Sequence, residues 1–432
     1  MKYIFKMAFR NIGRNKRRSM LSAIAISIAV MVVLVMRGYI GGIMDSTFDS
    51  LTKTETGHIK IAHSEYYDKE DMMPLEYMVD GFNVAQRLGG GYKQLLPILE
   101  SVEDVNVIAP RIKFGVLLNF RGKSRSALGI GIEPKVENTI ISFDKIMIEG
   151  QYFGDDEDAK SIIIGINLAE KLGIKLDDKL TILARTAYDS LKGMTFKVTG
   201  IFQYGISSLD SNLFYVPIGS AARLLEMGNG VSELILMVDK AEEAEKVADQ
   251  IRIKLQQQEG AYLEDGNTPR YVVVPWQKHA GLLSAFRMAS SIYNVVYLVL
   301  LVLASTVIIN TTMMVIYERT REIGTIGALG MTSGQIVLLF VIEATIISAI
   351  GSLLGTVIGG GLDFLLFIKG INIQALTGGS MDIPAADIIY PRFGLSLLFW
   401  SFLFGVVVAS VIAYFPARRA AKVEPVEALR SV

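Results

Sequence analysis

The chain has 432 residues, 51% of them hydrophobic and only 20% charged, with 43 basic residues balanced by 43 acidic ones. So apolar a composition points to membrane-embedded segments rather than one soluble domain, and zero net charge gives no bulk attraction for nucleic acid. Cysteine is absent and histidine occurs only at His58, His63 and His279, which excludes disulfides, thiol chemistry and Cys-based metal sites and makes a zinc centre implausible.

The first 18 residues contain Lys2, Lys6, Arg10, Arg14, Lys16, Arg17 and Arg18 and no acid. Lys2, Lys6, Arg10 and Arg14 recur every fourth residue and form a drifting stripe on one helical face, while Ile4, Phe5, Ala8 and Ile12 lie elsewhere around the helix. This predicts a basic amphipathic helix resting among anionic lipid headgroups. An apolar run follows from Ser19 to Met36 and extends past Arg37, predicting a first spanning helix over 19–43. No A-x-A-like cleavage site follows it, so it reads as a retained anchor rather than a signal peptide.

Residues 44–287 alternate short β-branched runs with helical patterns and predict a mixed α/β domain. GHIKIA (57–62) and VNVIAPRIKFGVLLNF (105–120) read as strands, and 82–101 as a helix broken near Gly89–Gly91. SIIIG, TFKVTGIF, NLFYVP and SELILMVD continue the strand character. AEEAEKVADQIRIKLQQQ reads as a helix, and RYVVVPW closes the domain. The β-rich stretch of about 126–229 is expected to form a subdomain inserted into a β–α–β framework. Gly122-Lys123-Ser124 ends like a phosphate-binding loop, but Gly115 is two residues too far upstream and the intervening VLLNF is a strand pattern. A hairpin turn accounts for it better. The acids around Asp156 lack calcium-loop spacing, and no nucleophile elbow is present. No catalytic, metal or cofactor site emerges, and the chain is not expected to be an enzyme.

The remaining spans are expected at 288–317, 335–362 and 393–415, separated by a short 318–334 segment and a 363–392 loop and followed by a 416–432 tail. Basic residues place both termini and the 318–334 turn on the cytoplasmic side. The whole is thus an α-helical membrane protein with four transmembrane helices and a large extracytoplasmic domain between helices 1 and 2. In the turn, Glu318, Arg319, Arg321 and Glu322 lead into Ile323, Ile326 and Leu329, a charged helix with an apolar strip that suits docking to another protein. Glu343 sits inside the third span, where an acid is costly and needs a partner or water. Gly351, Gly355 and Gly359 recur at i+4 on the same span and permit close helix packing, within the chain or between copies.

Three segments together resemble a known family. AFRNIGRNKRRSMLSAIAISIAV (8–30), ERTREIGTIGALGMTSGQI (318–336) and FPARRAAKVEPVEALR (415–430) are similar to the opening, central signature and ending of the FtsX-like permeases, in the MacB/FtsX/LolC–LolE superfamily of ABC transporters. The resemblance implies a MacB-like periplasmic core domain at 44–287 and a multi-pass protein of the bacterial inner membrane. It also implies a separate cytoplasmic ATPase subunit that binds the ATP and magnesium, since only 18 residues precede the first span. A second permease subunit, as homodimer or heterodimer, would complete the complex. The 318–334 segment resembles the coupling helix that docks on the ATPase. TGHIKIAHSEYYDKEDMMPLEY (56–77) is similar to the corresponding region of lipoprotein-releasing (LolC/LolE-like) permeases. The expected activity is mechanotransmission that releases lipoprotein cargo, with a periplasmic chaperone. The alternatives are MacB-like efflux of peptides or drugs through a periplasmic adaptor, and a non-transporting regulator of cell-wall hydrolases or signalling.

Overall fold

The computed structural model describes residues 2–14, 16–82, 90–154, 156–318, 320–372 and 388–421. In chain order the helices are α1 (Lys2–Arg14), α2 (Lys16–Leu51), α3 (Ser64–Asp68), α4 (Leu96–Glu100), α5 (Pro134–Ile141), α6 (Ile166–Leu172) and α7 (Ser207–Asn212). They continue as α8 (Ile218–Leu225), α9 (Ala244–Gln256), α10 (Ala280–Glu318), α11 (Thr320–Ala328), α12 (Ser333–Lys369) and α13 (Leu395–Ala420). The strands are β1 (Ile59–His63), β2 (Val105–Phe120), β3 (Lys123–Ile132), β4 (Met147–Gly150), β5 (Ser161–Gly165) and β6 (Lys179–Arg185). After them come β7 (Leu191–Phe202), β8 (Leu213–Pro217), β9 (Glu233–Val238), β10 (Tyr271–Pro275), β11 (Ile371–Asn372) and β12 (Ile388–Ile389). Contacts divide the described chain into a helical unit, from residues up to Asp45, Arg287–Asn372 and those from Ile388 on, and a second unit from Ser46–Phe286.

In the helical unit, three helices among the described residues are long and apolar enough to cross a bilayer: Ser19–Thr56, Ser333–Lys369 and Leu395–Arg419. The expected second span falls within α10, a 39-residue helix whose described apolar run is Ser290–Leu300. Several helices overrun their expected limits. The helix expected to end at 43 continues to Leu51, and α12 runs to Lys369, so the first part of the expected 363–392 loop is helical. Beyond it, β11 and β12 pair as Ile371 with Ile389; residues 373–387 lie outside the described ones.

The helix α12 packs on both α2 and α13. Gly351, Gly355 and Gly359 face α2 of the same chain, where an added Cβ would press on the backbone of Ala23, Ser27 and Met31 respectively. Lipid offers helices no hydrophobic incentive to associate, so close backbone approach and hydrogen bonds must hold them. The hydroxyls of Thr345 and Ser410 supply one such bond to α13 at 2.9 Å. Ile336 and Phe340 of α12 form an apolar cluster with Ala417 and Ala421.

The second unit is built on one ten-stranded mixed sheet, in the order β10-β1-β9-β2-β3-β8-β5-β7-β4, with β6 bridging β2 and β7. Strands β5, β8 and β9 are covered on both faces, which explains their apolar runs, whereas β6 alternates between buried and exposed positions. Leu234 and Leu236 of β9 enter the larger core, while Ile235 between them enters a second one with Ala109, Ile132 and Tyr215. The 126–229 stretch does not make a separate sheet. The sixteen-residue β2 pairs with β9 along its first half and with β6 at Val116–Asn119, so the expected inserted strands share the sheet and the larger core with the flanking ones.

Replacing Gly355 by Leu should lower the thermal midpoint of the detergent-solubilised protein, with an overpacking cost of about 1–3 kcal/mol. Gly361→Leu provides the control, because nothing lies within 4 Å of a Cβ there. Equal midpoints for the two variants would show that the α2–α12 contact does not depend on Gly355.

Candidate functional site

Within the helical unit, polar and charged side chains of α1, α11 and α12 meet one another. Ala8 of α1 is fully buried, and Asn11, one turn on, donates from Nδ2 to Oε1 of Glu343 at 2.6 Å. Glu343 is only 5% exposed, so this bond supplies a polar partner to an acid that would be costly alone. One turn further along α1, Arg14 pairs through Nη2 with Oε1 of Glu322 on α11 at 2.7 Å, and both side chains are about half exposed. A short basic helix is thus pinned to α12 by a part-buried bond and to α11 by a surface one. Capping defines the start of α12: the Thr332 hydroxyl and the Gln335 side chain satisfy each other's backbone N–H groups.

The remaining residues expected here are distributed as follows. Ile326 is half-buried and Leu329 exposed. Lys6 and Arg10 are exposed on α1, beside exposed Phe5 and Phe9. Arg319 and the side chains of Lys2, Glu318, Arg321 and Ile323 lie outside the described residues, as does the tail from 422 on.

The second unit holds a larger cluster that the sequence reading passed over. Side chains alternate along a strand, and opposed residues of neighbouring strands share a face. Lys60 of β1 opposes Ile235, and Arg111 of β2 opposes Glu233, so Lys60, Glu233, Arg111 and Lys113 all fall on the face of the smaller core. Each is 4% exposed or less. The end of the first helix closes over them. Past Leu51 the helix widens into a π-turn, Thr52–Thr56, ended by Gly57, whose φ of 61° is left-handed and whose N–H reaches the Thr52 carbonyl at 2.7 Å.

A helix end leaves carbonyls without partners and carries a partial negative charge. Here buried cations satisfy both needs. Arg111 donates to the carbonyls of Lys53 and Thr54 at 2.6 and 2.8 Å, and Lys113 donates to that of Glu55 at 3.0 Å. Arg111 also holds Glu137 of α5 in a two-pronged pair, 2.5 and 3.2 Å. Glu233 lies between Lys60 and Lys113, at 3.2 Å from each. Lys60 passes on to Glu70 at 2.5 Å, and Glu70 to His279, the residue before α10, at 3.4 Å. Edge-on contact of Phe48 with Trp276, at 4.6 Å between centroids, packs the same two ends. One charge network therefore grips both segments of this unit that lead into the long helices.

The titration of this network follows its geometry. Burial alone would raise Glu70, but the hydrogen bond with His279 and the charge of Lys60 outweigh it and hold the carboxyl down at about 2. Burial would lower Lys113 and Arg111, yet Glu233 and Glu137 respectively, as the leading attractive partners, keep both above their ordinary values. The signal for the cluster lay in the strands themselves: single charges at alternate positions of otherwise apolar runs, IKIA, RIKF and ELILM. Gly122-Lys123-Ser124 closes the hairpin between β2 and β3, where Phe120 opposes Lys123. Among the described residues no group of three or more acids and histidines could hold a metal ion.

Two family matches cover most of the chain: the MacB-like periplasmic core domain over residues 19–254 and the FtsX-like permease C-terminal region over 294–425. Among its curated relatives, an uncharacterised ABC transporter permease of Methanocaldococcus jannaschii is 25% identical, covering 99% of this chain and 97% of its own. The lipoprotein-releasing system transmembrane protein LolC of Xylella fastidiosa is 22% identical over 74% of this chain and 77% of its own. The macrolide export ATP-binding/permease protein MacB of Campylobacter jejuni is 23% identical over 98% of this chain, which spans 61% of that protein.

Arg111→Ala should cost about 3–5 kcal/mol in the unfolding of the second unit, because it leaves Glu137 buried without its partner. Arg111→Met combined with Glu137→Leu should recover most of that loss; a double variant no more stable than the single would refute the pairing. For Glu70 the depressed value means stability that is complete above the ordinary carboxyl pKa of about 4.3 and lost as pH falls toward 2. The full-length protein should therefore weaken over that window in a thermal-shift titration, and Glu70→Gln should flatten the dependence.

Proposed function

We propose a function for this chain on the premise that it belongs to the FtsX-like permeases of the MacB/FtsX/LolC–LolE superfamily of ABC transporters. It is the transmembrane subunit of such a transporter, in the inner membrane, and works by mechanotransmission. Four helices span the bilayer with both termini in the cytoplasm, α11 with its flanks receives force from a separate ATPase subunit, and a second permease subunit completes the pair. Nucleotide and magnesium belong to the ATPase, and this chain performs no catalysis. The domain outside is the working end.

The observation that supports this reading best is the charge network of Lys60, Arg111, Lys113 and Glu233. It fixes both the π-turn at 52–56 and His279 to the sheet, so movement of either helix reaches the outer domain through buried ion pairs rather than a slack linker. Similarity to LolC favours lipoproteins of the outer leaflet as cargo, handed to a periplasmic chaperone. Efflux of peptides or drugs through an adaptor is the second reading, favoured by the match to MacB along nearly the whole chain.

The test reconstitutes the permease with its co-purifying ATPase in proteoliposomes carrying a lipid-anchored protein. ATP should release that protein to a soluble acceptor. Absence of release for every native lipoprotein, together with altered drug sensitivity in a deletion strain, would replace this reading with efflux. Alanine at Glu318, Arg319 and Glu322 together should abolish the permease's effect on ATPase rate while leaving membrane insertion intact. An unchanged rate would remove the coupling role from this segment.

A further inference from the structure

The helix α1 presents two different surfaces. Ala8 and Asn11 are turned to α12, where Asn11 holds Glu343. On the outward side Phe5 and Phe9 are 56% and 67% exposed, next to exposed Lys6, Arg10 and Arg14. Exposed rings flanked by cations on a helix of this length suit a surface that is apolar at one depth and anionic at the next. The phospholipid headgroup layer has that chemistry beside a membrane helix.

The cations at the two ends of this surface are not equivalent. Lys6 and Arg10 face outward, whereas Arg14 is engaged by Glu322 of α11. That pair is half exposed on both sides, which places it among the weak, solvent-screened surface ion pairs. A basic side chain is attracted to an anionic bilayer surface, and the neighbouring cations add to the local concentration of headgroups. The lipid phosphate therefore competes with the Glu322 carboxylate on equal or better terms. Half-buried Asn11 and buried Glu343 are outside that competition and keep α1 docked while Arg14 changes partner.

We propose that the outward face of α1 (Phe5, Lys6, Phe9, Arg10, Arg14) is a binding surface for anionic phospholipid, and that lipid bound there takes Arg14 from Glu322 and loosens α11 from α1. Resting on the reading of α11 as the ATPase-facing helix, this makes coupling sensitive to the charge of the cytoplasmic leaflet. The interaction holds α11 in a neutral bilayer and releases it in an acidic one.

The absence of cysteine from the chain allows a direct test in the full-length protein. Spin labels at Gly13→Cys on α1 and Ala328→Cys on α11, both exposed positions, report the α1–α11 distance by double electron–electron resonance. In phosphatidylcholine vesicles the distance should be short and narrow. In vesicles containing phosphatidylglycerol it should lengthen or broaden, and Arg14→Gln should give the broad distribution in both. Inorganic phosphate added to neutral vesicles should change nothing. The same distribution in both vesicle types, or opening by phosphate alone, would overturn the proposal. This readout needs neither ATPase nor cargo, so its failure is separate from failure of the transport reading. With the ATPase present, the difference in ATPase rate between the two vesicle types should disappear in Arg14→Gln; a difference that persists would sever the lipid surface from coupling.

Discussion

The ionic network on the inner face of the sheet is the constraint around which the second unit is organised. Arg111, Lys113, Lys60 and Glu233 lie almost wholly out of water, where each ion costs several kcal/mol unless its partners are in place. Those partners come from five separate segments: the π-turn at 52–56, β1, the chain at Glu70, α5 and the residue before α10. A slip of β1 against β9 by one residue would turn Lys60 into the larger core and strand Glu233. Register, helix end and strand order are therefore set together.

The helical unit solves the opposite problem. Within lipid there is no gain from hiding apolar surface, so α12 is held by what its glycines permit and what its hydroxyls bond. Gly351, Gly355 and Gly359 admit the backbone of α2, and Thr345 reaches Ser410 of α13. The one acid at this depth with a described partner, Glu343, is satisfied by Asn11 from a helix outside the span. Polar side chains here act as local fasteners. In the second unit they act as a connected frame.

The two kinds of fastening differ in strength. A helix end held by buried charge resists separation, whereas a half-exposed pair such as Arg14 with Glu322 yields readily. The strong fastening is placed where the long helices enter the sheet domain, and the weak one on the turn between α10 and α12.

Much of the architecture was legible in the residues. Apolar lengths announced the helices, and alternating β-branched runs the sheet domain. Three helices, Ser19–Thr56, Ser333–Lys369 and Leu395–Arg419, have the required length and apolarity. The stripe of three glycines was evident too, but not its partner, since a sequence carries no record of which helix lies opposite. The strands around 126–229 were read as an insertion because their spacing is local, whereas β2 ties them to the flanking strands through pairings between distant residues. Lys60, Arg111, Lys113 and Glu233 went unremarked for the same reason. Each is an isolated charge in an apolar strand, and only the register of β1, β9 and β2 brings them onto one face beneath a helix end. The sequence by itself determined what each segment is, because hydrophobic period and length are local properties. Tertiary structure decided which charges are neighbours, because burial and pairing depend on residues far apart in the chain.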